Sequence, residues 1–195
     1  MLKIAVLISG GGSNLQALID TIKSGEINAS IDMVISSKAG VYGLERAEKE
    51  GIKTFVTKSP SEVVEIIGDK VDLIVLAGYL SILDGEILKL YENKIINIHP
   101  SLIPSFCGKG MYGLNVHKAV VASGVKCTGC TVHFVNEEVD GGAIILQESV
   151  PVFFEDTPEE VQKRVLVWEH KLLPKAVKLI SQGKVSVIDG KAKIN

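Results

Sequence analysis

Apolar and polar positions follow two different periods along this chain, and the changes between them mark out its elements. Leu2–Ile8 is almost wholly apolar, as in a strand covered on both faces. After Ser9-Gly10-Gly11-Gly12-Ser13-Asn14, apolar Leu15, Leu18, Ile19 and Ile22 recur at helical spacing until Gly25 supplies a stop. Residues 31–36 predict a second strand, Leu44 and Ala47 lie on a helix ended by Gly51, and residues 54–56 make a short third strand. Ser59-Pro60-Ser61-Glu62 combines an N-cap serine, a proline at the first helical position and a glutamate three after the cap, so the next helix starts there. Val71 and residues 73–77 predict a fourth strand that breaks at Gly78, and a helix follows over about 85–91.

Ile95–His99 turns a buried strand abruptly into a loop. Residues two apart on a strand share a face, so Asn97 and His99 project together while Ile96 and Ile98 pack on the other side. Pro100 has no N–H for a sheet ladder and restricts His99 to extended geometry, which ends the strand. A long glycine-containing loop over 102–113 precedes a helix over Leu114–Ser123, which stops at Gly124. Strands over 127–135 and 143–147 have no helix between them and are expected to be antiparallel neighbours. Thr157-Pro158-Glu159-Glu160 opens a long amphipathic helix carrying Val161, Val165, Trp168, Leu172 and Leu173, which Pro174 is expected to kink or split. Val185–Ile188, Asp189-Gly190 and Lys191–Ile194 read as a small hairpin. The alternation predicts the α/β class: one doubly wound, Rossmann-like, mostly parallel sheet with an antiparallel C-terminal part.

The 195 residues suit one domain, and no repeat or linker divides them. A net charge of -2 gives no basic excess for displacing counterions, which argues against nucleic acid as a partner. No apolar run is long enough to span a membrane, and the N-terminal apolar run stops at Ser9 and leads into glycines, so a core strand and a cytoplasmic protein are expected. Three cysteines give no disulfide framework. Cys127 and Cys130 have CxxC spacing with His133 close behind, but strand alternation separates them onto two faces, so they are expected to be buried strand cysteines. His117, His133 and His170 are scattered singly and read as surface or core histidines, and no metal is expected.

The glycine loop has two readings of about equal weight. It can cradle an anion, with backbone N–H groups, the positive helix end, Ser13 and Asn14 as donors, or it can be a tight turn in which Ser13 or Asn14 merely caps the helix. Leu15 stands where a dinucleotide fingerprint has its third glycine, and no P-loop lysine follows. His99 at a strand end can exchange a proton near neutral pH, and Asp140, just before two glycines, is the candidate carboxylate partner that favours its charged form. With the Asn97 amide as a second donor, the trio suits attack of an amine on an acyl carbon through a tetrahedral oxyanion.

The segments Leu7-Ile8-Ser9-Gly10-Gly11-Gly12-Ser13-Asn14-Leu15-Gln16, Ala77-Gly78-Tyr79, Asn97-Ile98-His99-Pro100-Ser101-Leu102-Ile103-Pro104, Thr131-Val132-His133-Phe134-Val135 and Asp140-Gly141-Gly142 with Ile145-Leu146-Gln147 resemble the phosphoribosylglycinamide formyltransferases. The NxHPSxxP and DGG elements are common to folate-dependent formyltransferases and formyltetrahydrofolate hydrolases, and the SGxGSNLQ loop points to the glycinamide members. Hydrolases of the group carry an added N-terminal domain and transfer-RNA formyltransferases an added C-terminal one. Neither addition is in this sequence, and the glycinamide members are expected over a hydrolase or a formyltransferase for another amine.

The resemblance implies formyl transfer from 10-formyltetrahydrofolate, as co-substrate, to the glycinamide amine of a ribosyl 5-phosphate in purine biosynthesis. It implies Asn97, His99 and Asp140 as catalytic residues, with His99 a general acid and Asp140 orienting it and raising its pKa. It assigns Gly12, Ser13 and Asn14 to the substrate phosphate and Glu169 to its ribose or amide part. Leu80, Ser81, Ile82 and Leu83, with Asn97, Asn136, Glu137, Glu138, Val139 and Asp140, would hold the folate. It thus implies one domain over 1–195, with a phosphate-binding part over about 1–95 and a catalytic, folate-binding part over about 96–195. Partners are then small molecules, without nucleic acid or membrane, and a homodimer is left open. Ser81 replaces an arginine that many members carry, and Lys109 and Tyr112, in a loop longer than the plain form, have no assigned role.

Overall fold

The computed structural model describes residues 1–83 and 85–195. Strand β1 (Leu2–Ile8) alternates its side chains between two cores: Ile4, Val6 and Ile8 enter one, Ala5 and Leu7 the other. This two-sided burial makes β1 an interior strand of a seven-stranded sheet of order β3-β2-β1-β4-β5-β6-β7. The remaining members are β2 (Ala29–Ser36), β3 (Lys53–Val56), β4 (Leu73–Leu76), β5 (Ile95–His99), β6 (Cys127–Phe134) and β7 (Ile144–Pro151). β1–β5 pair parallel, while β6 pairs antiparallel with β5 and β7 antiparallel with β6. The expected mostly parallel sheet with an antiparallel C-terminal part is what forms.

One face of the sheet is covered by α1 (Ser13–Lys23), α2 (Tyr42–Lys49), α5 (Leu114–Ser123) and α6 (Pro158–Ser181), whose Leu15, Leu44, Val120 and Val165 share a core with Ile96 and Ile98. On the other face, α3 (Pro60–Ile67) and α4 (Glu86–Leu90) bring Val63, Ile67 and Ile87 against Leu7 and Ile95. Full burial of each such side chain is worth about 1.5–3 kcal/mol, so the two cores fix the sheet's register.

Local signals set the helix starts. Ser59 accepts from Glu62 N–H at α3, and at α6 Thr157 and Glu160 form a reciprocal capping box with Pro158 at the first position. Pro174 does not split α6, which runs unbroken over 24 residues. Leu172, Leu173, Pro174, Ala176 and Val177 are all buried, and this packing outweighs the backbone hydrogen bond that proline cannot make. The last hairpin, β8 (Val185–Ile188) and β9 (Lys191–Ile194), is a separate two-stranded sheet. Among the described residues no helix is long and apolar enough to cross a membrane.

Candidate active site

The strand order reverses between β1 and β4, which opens a crevice beyond the carboxyl ends of the parallel strands. The glycine loop leaves β1 on this edge, and Asn97 and His99 end β5, two strands away, a gap of about 10 Å at normal strand spacing. Ser9, at the end of the crevice, bridges it by accepting from Leu80 N–H (2.8 Å).

At the glycine loop the capping alternative fails. Gly12 occupies the N-cap position of α1, and among the described residues no side chain caps the helix. Asn14 instead donates from Nδ2 to the Glu169 carboxylate (2.7 Å), which joins the loop to α6. Asn14 is 8% exposed and its buried Oδ1 has no partner among the described residues. Burial pushes the Glu169 carboxyl up, and the Asn14 bond only partly counters this.

On β5, Asn97 and His99 share a face as the strand period requires. His99 is 4% exposed, and its Nε2 donates to the Phe106 carbonyl (3.0 Å). That bond leaves Nδ1 as the nitrogen available for proton exchange, and Nδ1 lies 3.7 Å from Asp140 Oδ2. The expected rise in the His99 pKa does not result. Burial holds the imidazole below its ordinary value, against the Phe106 carbonyl and Asp140, which both favour the charged ring. The Asp140 influence has the expected sign but acts from beyond hydrogen-bond distance, so desolvation wins.

Asp140 has a left-handed backbone (φ 58°), in a turn where Glu138 N–H donates to Asn136 Oδ1 and Gly141 N–H to the Glu138 carbonyl. Its Oδ2 accepts from Gly108 N–H (2.8 Å) and its Oδ1 lies 3.7 Å from His133 Nε2. Burial alone would raise the Asp140 carboxyl, yet His133, Gly108 N–H and His99 together hold it below the usual carboxylate value.

His133, read from sequence as an isolated histidine, is therefore part of the cluster. It pairs with Asn97 in the β5–β6 register, donates from Nδ1 to the Phe134 carbonyl (2.7 Å) and presents Nε2 to Asn97 Nδ2 (3.2 Å). The antiparallel pairing was the signal that could have found it, because directly opposed residues share a face.

A buried polar clamp sets the loop after His99. Thr131 Oγ1 donates to the Ser101 carbonyl (2.7 Å) and accepts from Ile103 N–H, while Gln147 Nε2 donates to the Ile103 carbonyl (3.0 Å). The cis peptide bond in this loop is Ile103–Pro104.

Of the proposed folate-wall residues, Leu80, Ile82, Asn136, Glu137, Glu138 and Val139 are exposed and Ser81 is half-buried. Leu83 is different: its side chain lies in the core with Tyr79 and Ile87, leaving only its backbone for a ligand. The two strand cysteines also differ from each other. Cys130 is buried, with its thiol pushed up to about 12 by burial, but Cys127 is exposed because β6 begins there, beyond the core. His117 is buried and His170 half-buried.

A family model described as formyl transferase matches residues 2–177. The chain belongs to the formyl transferase family. Within it, the chain is 46% identical to the phosphoribosylglycinamide formyltransferase of Haemophilus influenzae, covering 98% of this chain and 96% of that protein. It is 49% identical to the trifunctional purine biosynthetic protein adenosine-3 of Gallus gallus, covering 95% of this chain but 19% of that protein, so it spans about a fifth of that longer relative. The crystal structure of glycinamide ribonucleotide transformylase 1 from Symbiobacterium toebii has a TM-score of 0.90 at 39% identity, covering 100% of this chain and 94% of that one.

This formyl transferase thus carries Asn97, His99, Asp140 and His133 in one cluster and Gly12, Ser13, Asn14 and Glu169 in another, on the same edge of one sheet. The family implies a folate-derived formyl donor.

Proposed function

We propose that this formyl transferase moves the formyl group of 10-formyltetrahydrofolate onto the amine of 5-phosphoribosylglycinamide, a step of de novo purine biosynthesis, by direct amine attack through a tetrahedral intermediate. The observation that carries the reading is the convergence of Asn97, His99 and Asp140 at the end of β5, about 10 Å from a glycine loop whose N–H groups have no partner among the described residues. The phosphate would rest on Gly12, Ser13 and Asn14, with Glu169 beside the ribose or amide, so that residues about 1–95 supply the anion subsite. Residues about 96–195 supply the reacting groups, and the folate would lie along Leu80, Ser81 and Ile82, the Leu83 backbone and Asn136–Asp140. The reaction is read as cytoplasmic and between small molecules.

In this mechanism the amine nitrogen attacks the formyl carbon and the new C–N bond forms as the carbonyl electron pair moves to oxygen. Asn97 Nδ2 has two hydrogens; one is directed to His133 and the other donates to the oxyanion. His99, neutral at pH 7 because burial depresses it, takes the proton of the new ammonium at Nδ1. The imidazolium is then stabilised by Asp140 and by the Phe106 carbonyl. His99 next acts as general acid, passing that proton to N10. The C–N10 bond breaks, the carbonyl re-forms, and tetrahydrofolate and the formylated amide leave.

The test is a spectrophotometric assay of folate product release from 10-formyltetrahydrofolate, with and without the ribonucleotide. Release that depends on the ribonucleotide is expected. Equal release without it would identify a hydrolase, and no release in either case would point to another amine.

A further inference from the structure

The glycine loop is held from behind by α2. Gly43 N–H donates to the Gly10 carbonyl (3.1 Å), and Arg46 Nε–H donates to the Gly11 carbonyl (2.9 Å). In a planar trans peptide the carbonyl and the N–H of one unit point in opposite directions. Turning the Gly10 and Gly11 carbonyls toward α2 therefore turns the Gly11 and Gly12 N–H groups away from it. They join the N–H groups of Ser13, Asn14 and Leu15, which precede the first intrahelical bond of α1, from Gln16 N–H to the Gly12 carbonyl (2.9 Å).

Packing enforces this orientation. A Cβ on Gly12, which has φ +70°, would lie 2.7 Å from Gly43 Cα, and one on Gly43 would lie 2.8 Å from the Gly10 oxygen. Arg46 is itself fixed: Nη1 donates to Gln16 Oε1 (2.9 Å), and the guanidinium lies 4.6 Å from the centre of the Tyr42 ring. With Ser13 and His170 it lines a groove of about 360 Å³ that runs along α1. Asp20 also borders the groove, but its Oδ1 accepts from Gln16 Nε2 (2.9 Å).

We propose that Arg46 is the positioning residue of the phosphate subsite: it aims the loop's N–H groups through the Gly11 carbonyl and sets a fixed positive charge beside them. Arg46 thereby makes the site prefer the phosphorylated acceptor. This inference rests on the phosphate reading of the loop made above.

The experiment compares the parent with Arg46→Gln, Arg46→Lys and Gly43→Ala, using 5-phosphoribosylglycinamide and its dephosphorylated counterpart as acceptors. Calorimetric titration with ribose 5-phosphate supplies a readout independent of turnover, and thermal unfolding checks the fold. Loss of a charge-assisted hydrogen bond predicts that Arg46→Gln raises KM for the phosphorylated acceptor, and weakens ribose 5-phosphate, by about 10- to 100-fold. kcat, the donor KM and kcat/KM for the dephosphorylated acceptor should change little. Arg46→Lys should keep most of the defect, because lysine retains the charge without the guanidinium fork. Gly43→Ala should give the same pattern by displacing the Gly10 carbonyl, so the proposal stays testable if one Arg46 variant fails to fold.

A folded Arg46→Gln with parental KM and ribose 5-phosphate affinity overturns the proposal. Full recovery in Arg46→Lys overturns the positioning role in favour of charge alone, and equal losses on both acceptors overturn the specificity role. A parent protein that transfers formyl but binds no ribose 5-phosphate would instead sink the phosphate reading itself.

Discussion

Asn97 and His133 oppose each other across the β5–β6 ladder, and the Asn97 amide nitrogen stands 3.2 Å from His133 Nε2. His133 Nδ1 donates to the Phe134 carbonyl, which fixes the ring so that its Nε2 meets and orients the Asn97 carboxamide. His133→Ala should lower kcat about tenfold through loss of that hydrogen bond, with KM for both substrates little changed. Asn97→Ala, which removes the proposed oxyanion donor, should cost about 100- to 1,000-fold. Steady-state kinetics on folded variants decides this, and parental kcat in His133→Ala would remove the orienting role.

The depressed His99 pKa has a kinetic signature. If neutral Nδ1 receives the amine proton, kcat/KM rises with pH along an acid limb lying below the ordinary histidine value of 6.5. Asp140 favours the charged ring, so Asp140→Asn should move the limb to still lower pH while reducing the maximum rate. A pH–rate profile of each protein tests the assignment; an unmoved limb in Asp140→Asn would dissociate the carboxylate from His99.

His117 predicts a pH-dependent loss of stability outside the reaction. It is 1% exposed, its Nδ1 has no partner among the described residues, and burial lowers its pKa to about 4. A folded pKa below the unfolded value of 6.5 means that the unfolded chain takes up the proton first as pH falls. The resulting destabilisation begins near pH 6.5 and is complete near pH 4, and amounts to about 3 kcal/mol. His117→Leu should remove this component, so urea unfolding of the variant at pH 7 and pH 5 should give a smaller difference than in the parent.

Glu169 predicts the opposite direction. Its carboxyl is raised by burial, so its contribution to stability is present below the unfolded value of 4.5 and is lost as pH rises through the folded one. Glu169→Gln removes the titratable carboxyl and keeps an oxygen that can accept from Asn14 Nδ2. Thermal unfolding at pH 8 should show equal or greater stability, while KM for the ribonucleotide rises. A variant less stable than the parent at pH 8 would show that the carboxyl itself is needed in the fold.

Much of the fold was legible because its signals are local. The apolar run of β1, the Thr157 capping box and the shared face of Asn97 and His99 each depend on a few consecutive residues. The two readings of the glycine loop could not be separated locally, because an anion cradle and a capped turn use the same residue types. Packing removed the capped turn, by drawing Asn14 to Glu169, 155 residues away.

The sequence by itself therefore determined the elements, their order and the three polar residues that mark the end of β5 and the turn at Asp140. Only the tertiary structure brought His133 to Asn97, set the Phe106 carbonyl on His99, carried α6 through Pro174 and placed Arg46 behind the glycine loop. It also reversed the expected His99 shift. Periodicity and capping act over a few residues, whereas these contacts and the desolvation of a buried ring depend on which distant surfaces meet.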